Sequence, residues 1–375
     1  MRIAFLDNLN KIGGSQIDFL EILSTLNRLG YQTWSNLPNE NGLLPLLQET
    51  GTKFIPYHIP EIRKNPLNLS RLLLIGFKIA QFLKGKRIDL LCTNSVPAQI
   101  LGVIIRKLAG IKVVWLIHDY FGTEVIMRFL VKGADKIIAN SYFVRSYIIS
   151  RCKVAPCKVA VVYNFFDPEK VKAIEGISDQ EALPGQGTIR VGIFARLVPW
   201  KGIDIFIRCA SQVLKTIEDV EFFIVGGGSN EFENYLKQLS SSLGISDKVH
   251  FLGYVSPKQA IRIMSQMDVV VNTSANPEPF GRSLVEAGLL EKPVVAFNEG
   301  GPREIVVDGL TGFLVPKGDI EAFSNAIVTL LKDRELRLTL GHEAKRFVSE
   351  KFSLQQAIFQ FEEVLKEIKH ENSHA

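Results

Sequence analysis

Two pairs of ionisable residues and one histidine stand where this chain can do chemistry. Arg196 and Lys201 lie five residues apart in Ala195-Arg196-Leu197-Val198-Pro199-Trp200-Lys201-Gly202. Converging on a cleft, they would neutralise a diphosphate, the guanidinium as a planar fork and the ammonium as a point charge. As ordinary loop cations they would only be solvated. Glu278 and Glu286 form the second pair, in Glu278-Pro279-Phe280-Gly281-Arg282-Ser283-Leu284-Val285-Glu286. Glu278 sits in a proline-bounded loop, and Glu286 falls about one turn inside a helix that the sequence starts near Gly281. This spacing predicts two acceptors for sugar hydroxyls flanking a helix start whose unpaired amides attract an anion. His118 ends the run Trp115-Leu116-Ile117-His118-Asp119, and a lone histidine at a strand end is often a satisfied structural residue.

Two glycine turns belong to the same chemistry. Gly13-Gly14 and Gly226-Gly227-Gly228 each follow a predicted strand and let backbone amides approach an anion without a side chain in the way. Such turns are also common for structural reasons. Neither has the G-x-G-x-x-G spacing of a nicotinamide dinucleotide site.

The elements that must carry these residues follow from hydrophobic periodicity. In the first half, short apolar runs alternate with amphipathic stretches: strands are expected at Ile3–Leu6, Gln32–Trp34, Lys53–Pro56, Asp89–Thr93, Lys112–Ile117, Lys136–Ala139 and Val159–Val162. A helix over Gln16–Leu29 is closed by Gly30. A second series runs through Ile189–Phe194, Glu221–Val225, Val249–Leu252, Val269–Asn272 and Val294–Phe297. Strands alternating with helices imply parallel sheets covered on both faces, so the fold class is α/β with two Rossmann-like, doubly wound domains. Residues 1–168 form the first domain, 169–187 a polar linker and 188–352 the second. The helical spacing of Ile358, Phe361, Val364, Leu365 and Ile368 makes 353–375 a helix expected to pack back onto the first domain. Ligands of such sheets sit at the carboxyl ends of the strands, so a central cleft faced by both domains is the expected site.

Length and composition agree. At 375 residues, 46% apolar and 22% charged, the chain is globular rather than disordered or fibrous. The longest apolar runs fall well short of the roughly 20 residues that span a bilayer, and Asp7 interrupts any signal-peptide apolar region. A cytoplasmic location is expected. Four cysteines show no C-x-x-C pair, and neither a disulfide scaffold nor a zinc site is expected. The net charge of +5 is uneven, since residues 1–168 hold 21 Lys and Arg against 11 Asp and Glu. That surplus points to an anionic partner. The stretch 62–87 carries seven cations and no acid among leucines and phenylalanines, which suggests an interfacial helix on an anionic membrane surface. Its leucines packing on the sheet is the competing view. No aromatic and basic interleaving marks a nucleic-acid site, so no nucleic-acid partner is expected.

With these motifs the chain resembles the retaining GT-B glycosyltransferases of family 4. The resemblance covers most of the second domain: Arg196-Leu197 with Lys201-Gly202, Val225-Gly226, Phe251-Leu252-Gly253-Tyr254-Val255, Glu278-Pro279-Phe280-Gly281 with Glu286-Ala287, Gly300-Gly301 with Glu304, and Thr311-Gly312-Phe313. In the first domain it rests on Gly13-Gly14, His118-Asp119, Asn140-Ser141 and Tyr163-Asn164. Ala195 and Phe165 stand where the family usually has glycine.

The resemblance implies a nucleotide diphosphate sugar as donor, UDP-glucose or UDP-N-acetylglucosamine by base rate. Glu286 would hold the ribose, and Arg196, Lys201 and the amides of Gly281, Arg282, Ser283 and Leu284 the diphosphate. Backbone at Gly253, Tyr254 and Val255 would meet the base, Glu278 the donor sugar's hydroxyls, and His118 the transferred sugar. Phe280, Gly226, Gly13 and Gly14 complete the expected binding set. The implied reaction retains anomeric configuration and needs no cofactor, and with no Asp-x-Asp in the sequence no metal is expected. The acceptor would be a sugar or a lipid-linked oligosaccharide in polysaccharide synthesis, with peripheral contact to the inner face of the membrane. A nucleotide-sugar 2-epimerase and a non-catalytic nucleotide-sugar binder remain as alternatives.

Overall fold

The computed structural model describes residues 1–8, 14–36, 43–59, 68–119, 124–168, 171, 183–185 and 187–373. Most of the expected linker, and Gly13, therefore lie outside the described residues. The chain divides into two compact units, one of Met1–Asn164 with Ala357–Ala375 and one of Phe165–Gln356.

The first unit is built on strands β1 (Arg2–Leu6), β2 (Gln32–Ser35), β3 (Lys53–Phe54), β4 (Leu90–Thr93), β5 (Lys112–Ile117), β6 (Lys136–Ala139) and β7 (Val159–Val161). They form one sheet in the order β3-β2-β1-β4-β5-β6-β7, each described pair parallel. Strands β4 and β6 are buried at every position, as expected of a parallel sheet covered on both faces. Alternate residues serve opposite faces. Leu6, Leu91 and Val113 pack with Leu72, Ile79, Leu83 and Leu101 from the helices Asn68–Gly85 and Val96–Ala109. On the other face Phe5 meets Phe19 edge-on at 5.4 Å and Phe361 in a stack at 6.4 Å. Phe361 comes from the helix Leu354–Ser373, which is tied to the first unit by Lys136 Nζ to Glu367 at 2.7 Å and Tyr31 Oη to Glu362 at 3.0 Å.

The second unit repeats the plan with β8 (Ile189–Phe194), β9 (Val220–Val225), β10 (Val249–Gly253), β11 (Val269–Asn272), β12 (Val294–Phe297) and β13 (Gly312–Val315), in the order β10-β9-β8-β11-β12-β13. Sequence periodicity missed β13, a four-residue edge strand opened by glycine. A β-carbon at Gly312 would meet the carbonyl of Val294 at 2.3 Å, so the residue that disguises the strand is the one that lets it pair with β12. In both sheets the winding reverses beside the first strand, between β1 and β4 and between β8 and β11. The carboxyl ends at such a reversal leave room for a ligand.

Candidate active site

In the second unit the reversal is lined by the loops that follow β8 and β11. Thr273 Oγ1 donates to the Gly202 carbonyl at 2.8 Å, and the amides of Ala275 and Asn276 donate to the Trp200 carbonyl at 2.8 and 3.3 Å. Gly202, at φ +64°, is required here, since a β-carbon would lie 2.0 Å from the Thr273 carbonyl oxygen. The two loops are thus one piece of framework, and it brings together residues 77 apart: Lys201 Nζ meets Glu278 Oε2 at 2.6 Å. Their side chains are 14% and 10% exposed, and Ser274 Oγ donates to the same carboxylate oxygen at 2.8 Å. The Trp200 ring lies 4.2 Å under the Lys201 ammonium. Neither Ser274 nor Trp200 was assigned a role from the sequence, although the run Thr273-Ser274 directly after the apolar β11 was a signal for Ser274 and Trp200 adjoins Lys201 in the 195–202 loop.

Glu278 is also held through its backbone. Gly301 donates to its carbonyl at 2.7 Å, and residues 278 and 300 pair as an isolated parallel bridge. Three residues on, Gly281 at φ +110° starts the helix Arg282–Leu289 without any side-chain cap. Of the amides expected to meet the diphosphate, that of Leu284 is already committed, donating to the Gly281 carbonyl at 3.0 Å, so any anion at this helix start would be met by the amides before it. Glu286 lies on the same helix, one turn after Arg282, whose guanidinium sits 3.5 Å from it and 4.5 Å over the Phe166 ring. Burial pushes the Glu286 carboxyl above its ordinary range, and Arg282 partly opposes that shift. Each expected carboxylate therefore has its own cation, Glu278 with Lys201 and Glu286 with Arg282.

Arg196 differs from Lys201 in being exposed, and its guanidinium has no partner among the described residues. Its loop is braced by the glycine turn after β9. The Leu197 amide donates to the Gly227 carbonyl at 2.9 Å, while β-carbons at Gly226 and Gly228 would lie 1.9 and 2.3 Å from the carbonyl oxygens of Ala195 and Leu197. The missing side chains make room for the Arg196 loop. Beside this turn Gly253 is left-handed at φ +67°, its carbonyl accepts from the Gly226 amide at 2.9 Å, Tyr254 is 79% exposed and Val255 is half-buried. Phe280 and Leu284 are core residues, with Phe280 stacked on Phe166 at 6.4 Å. Ser283 is half-buried in the first helical turn.

In the first unit the corresponding edge carries a continuous row of polar side chains. Across β2, β1, β4, β5 and β6, the first residue past each strand is Asn36, Asp7, Asn94, His118 and Asn140. Neighbours in the row bond to one another. Asn36 exchanges two hydrogen bonds of 2.9 Å with the Asp7 backbone, and Asn94 Nδ2 donates to Asp7 Oδ2 at 2.9 Å. Asn94 Oδ1 lies 2.6 Å from His118 Nε2, and Asn140 Nδ2 donates to the His118 carbonyl at 3.1 Å. Asp7 and Asn140 are buried, and Asn140 Oδ1 has no hydrogen-bond partner among the described residues. From the sequence His118 stands out as a site residue and Asn140 only as part of a family-like motif, while Asn36, Asp7 and Asn94 pass unnoticed as site residues, because single polar residues after apolar runs have no spacing that announces them. Gly14 is the first residue of the helix Gly14–Arg28.

Comparison with known proteins agrees with the fold. Residues 12–170 match the model for Glycosyltransferase Family 4 and residues 177–347 that for Glycosyl transferases group 1. The chain is 25% identical over 250 residues to an uncharacterized glycosyltransferase of Methanocaldococcus jannaschii, MJ1069, spanning 67% of this chain and 63% of that protein, just under two thirds of its length. It is 26% identical to N-acetyl-alpha-D-glucosaminyl L-malate synthase of Bacillus anthracis, over 79% of each. Among solved structures, Anabaena Alr3699/HepE in complex with UDP and glucose has a TM-score of 0.82 at 27% identity, covering 98% of this chain and 100% of that one. A complex of HepE with UDP-glucose is equally similar. With two parallel Rossmann-like sheets, and with family models matched through most of both halves, the chain belongs to the family 4-like glycosyltransferases of the GT-B fold.

Proposed function

We propose that the protein is a retaining hexosyltransferase that uses a UDP-sugar, UDP-glucose or UDP-N-acetylglucosamine, and passes the hexose to a sugar or lipid-linked oligosaccharide acceptor in polysaccharide synthesis. The observation that carries this reading is the uncapped helix start at Gly281, with a buried Lys201–Glu278 pair on its approach loops and Glu286 one turn inside. Diphosphate departure concentrates negative charge on the leaving group while the sugar becomes oxocarbenium-like. Fixed cations and helix-end amides stabilise that charge without reorganising. In this scheme Lys201 and Arg196 take the diphosphate, Glu286 accepts the ribose hydroxyls, Glu278 addresses the donor sugar, and the backbone at Gly253, Tyr254 and Val255 meets the base. His118 contacts the transferred sugar. The neutralisation a divalent cation performs elsewhere falls to the two side-chain cations, so turnover should survive chelation by EDTA. The likeness to HepE, whose crystals hold UDP-glucose, favours uridine over other bases.

The test is nucleotide release from UDP-, GDP- and ADP-sugars, followed by proton NMR of the glycoside formed. Release from a UDP-hexose with an α-linked product from an α-linked donor supports the proposal. Binding without release identifies a nucleotide-sugar binder, and conversion of the donor into its 2-epimer identifies an epimerase.

A contact with anionic lipid is supported by one further observation. On the helix Asn68–Gly85, Leu73, Leu74 and Phe77 are exposed between the exposed cations Arg71 and Lys78, while Leu72, Ile79 and Leu83 face the core. The leucines of this segment thus divide between sheet and surface, and the outward set has the apolar and basic character that an acidic lipid surface attracts. Arg63 and Lys64 lie outside the described residues. No helix among the described residues is long and apolar enough to cross a membrane. Co-sedimentation with vesicles should rise with phosphatidylserine content, and Arg71→Gln with Lys78→Gln should weaken it. Pelleting that ignores either lipid charge or these substitutions would remove this surface from consideration.

A further inference from the structure

We propose that Asp7 and Asn94 are positioning residues that hold the His118 imidazole as a single tautomer, protonated on Nε2. The proposal deepens the role given above to His118 and rests on that reading for its catalytic consequence. These residues belong to the row at the carboxyl edge of the first sheet. The Asp7 carboxylate is buried, and both its oxygens accept N–H groups, Oδ1 from the Asn8 amide at 2.7 Å and Oδ2 from Asn94 Nδ2 at 2.9 Å. A carboxylate in that setting is an acceptor only, so it fixes which end of the Asn94 amide faces it. Turning the amide over would set oxygen against oxygen. With its NH2 group on Asp7, Asn94 presents Oδ1 to His118 at 2.6 Å. An amide oxygen cannot donate, so the hydrogen must reside on His118 Nε2. Whenever the ring is neutral its lone pair is then confined to Nδ1, and a sugar hydroxyl that donates to the ring must meet that atom.

The backbone makes the relay rigid. Asp7, Asn94 and His118 each occupy the first position past β1, β4 and β5, and Asn94 donates its amide to the Leu6 carbonyl at 2.9 Å. Asn36 clamps the Asp7 backbone from one side, and Asn140 holds the His118 carbonyl from the other. The residues come from positions 7, 94 and 118, and parallel pairing of β1 with β4 and β4 with β5 brings them into line. A buried carboxylate that sets a histidine tautomer through a hydrogen bond is a known catalytic arrangement, and here the influence passes through one intervening amide.

The decisive measurement is two-dimensional nitrogen NMR of the full chain labelled with 15N-histidine, with His118 assigned by its loss in His118→Gln. At a pH where the ring is neutral, the expected result is Nε2 protonated and Nδ1 unprotonated. In Asp7→Asn the Asn94 amide is free to turn, so the Nδ1–H tautomer should appear. UDP release from UDP-glucose should fall at least tenfold in kcat, while the Kd for UDP stays within twofold. An Nδ1–H ring in the wild-type protein overturns the proposal without any variant, and so does an unchanged tautomer in a folded Asp7→Asn protein. Should Asp7→Asn fail to fold, Asn94→Ala provides the same readout from the middle of the relay. Failure of the catalytic reading looks different: His118→Gln would then turn over at the wild-type rate, while the wild-type tautomer remained as stated.

Discussion

Removing the Arg196 side chain and removing that of Lys201 should have unlike consequences. Arg196 is exposed and has no partner among the described residues, so Arg196→Ala should leave stability within about 0.5 kcal/mol of wild type and still lower turnover about a hundredfold if the guanidinium meets the diphosphate. Lys201→Ala strands the Glu278 carboxylate in a largely buried place, at a cost of about 3–5 kcal/mol. Denaturant midpoints beside UDP-release rates separate the two, and wild-type turnover in Arg196→Ala would make it a surface cation. Glu286→Ala should weaken UDP binding by roughly 1.5–3 kcal/mol, more than Glu278→Ala, as calorimetry with UDP would register. Burial that raises the Glu286 pKa also sets a pH signature. Such a carboxyl binds its proton more tightly in the folded protein than in the unfolded chain, so ionising it opposes folding as pH climbs past the unfolded value. Glu286→Gln should accordingly melt higher than wild type at pH 7, with the gap closing toward about pH 4, while its UDP affinity drops. At this scale the sequence yielded the charged members of the second unit's site, because family-like motifs hold them within short windows. Asp7 was legible only as an acid that spoils a signal peptide. Its partners lie 29 and 87 residues away, beyond the reach of any local pattern.

At the scale of elements, twelve of the thirteen described strands were announced, most of them by buried apolar runs, since a strand covered on both faces has little room for polar residues; the edge strand β3 is exposed at both positions and β2 carries Thr33 and Ser35. The loops were harder to read. Gly226-Gly227-Gly228 looks in sequence like an approach for phosphate, yet the carbonyls of Ala195 and Leu197 occupy the space a side chain would need. Gly228→Ala should therefore act on the Arg196 loop as well as on stability. We expect a loss of at least about 1–3 kcal/mol, the range for overpacking, and a reduced affinity for UDP. A variant that folds and binds UDP normally would show that the loop relaxes at no cost.

The whole molecule has a discontinuous first unit. Ala357, Ile358, Phe361, Val364, Leu365 and Ile368 are all buried, and Phe361 stacks on Phe5 of the central strand β1. Each large side chain of that set contributes about 1.5–3 kcal/mol when buried. A chain ending at Gln356 should lose the cooperative unfolding of its first unit while the second still melts as a body, and circular dichroism with limited proteolysis would follow both. Matched transitions in the truncated and full chains would contradict that dependence. The same connectivity imposes an order in time during synthesis. The sheet strands of the first unit leave the ribosome early, but the helix that seals one face arrives only after Phe165–Gln356 has been made. At about 5–20 residues per second that interval is roughly 10–40 s. Throughout it the second unit can complete itself, while Phe5 has Phe19 of the first helix against it but lacks the cover of Phe361, open to chaperones. Nascent chains stalled at Gln356 should be cut by protease within the first unit and resist it within the second.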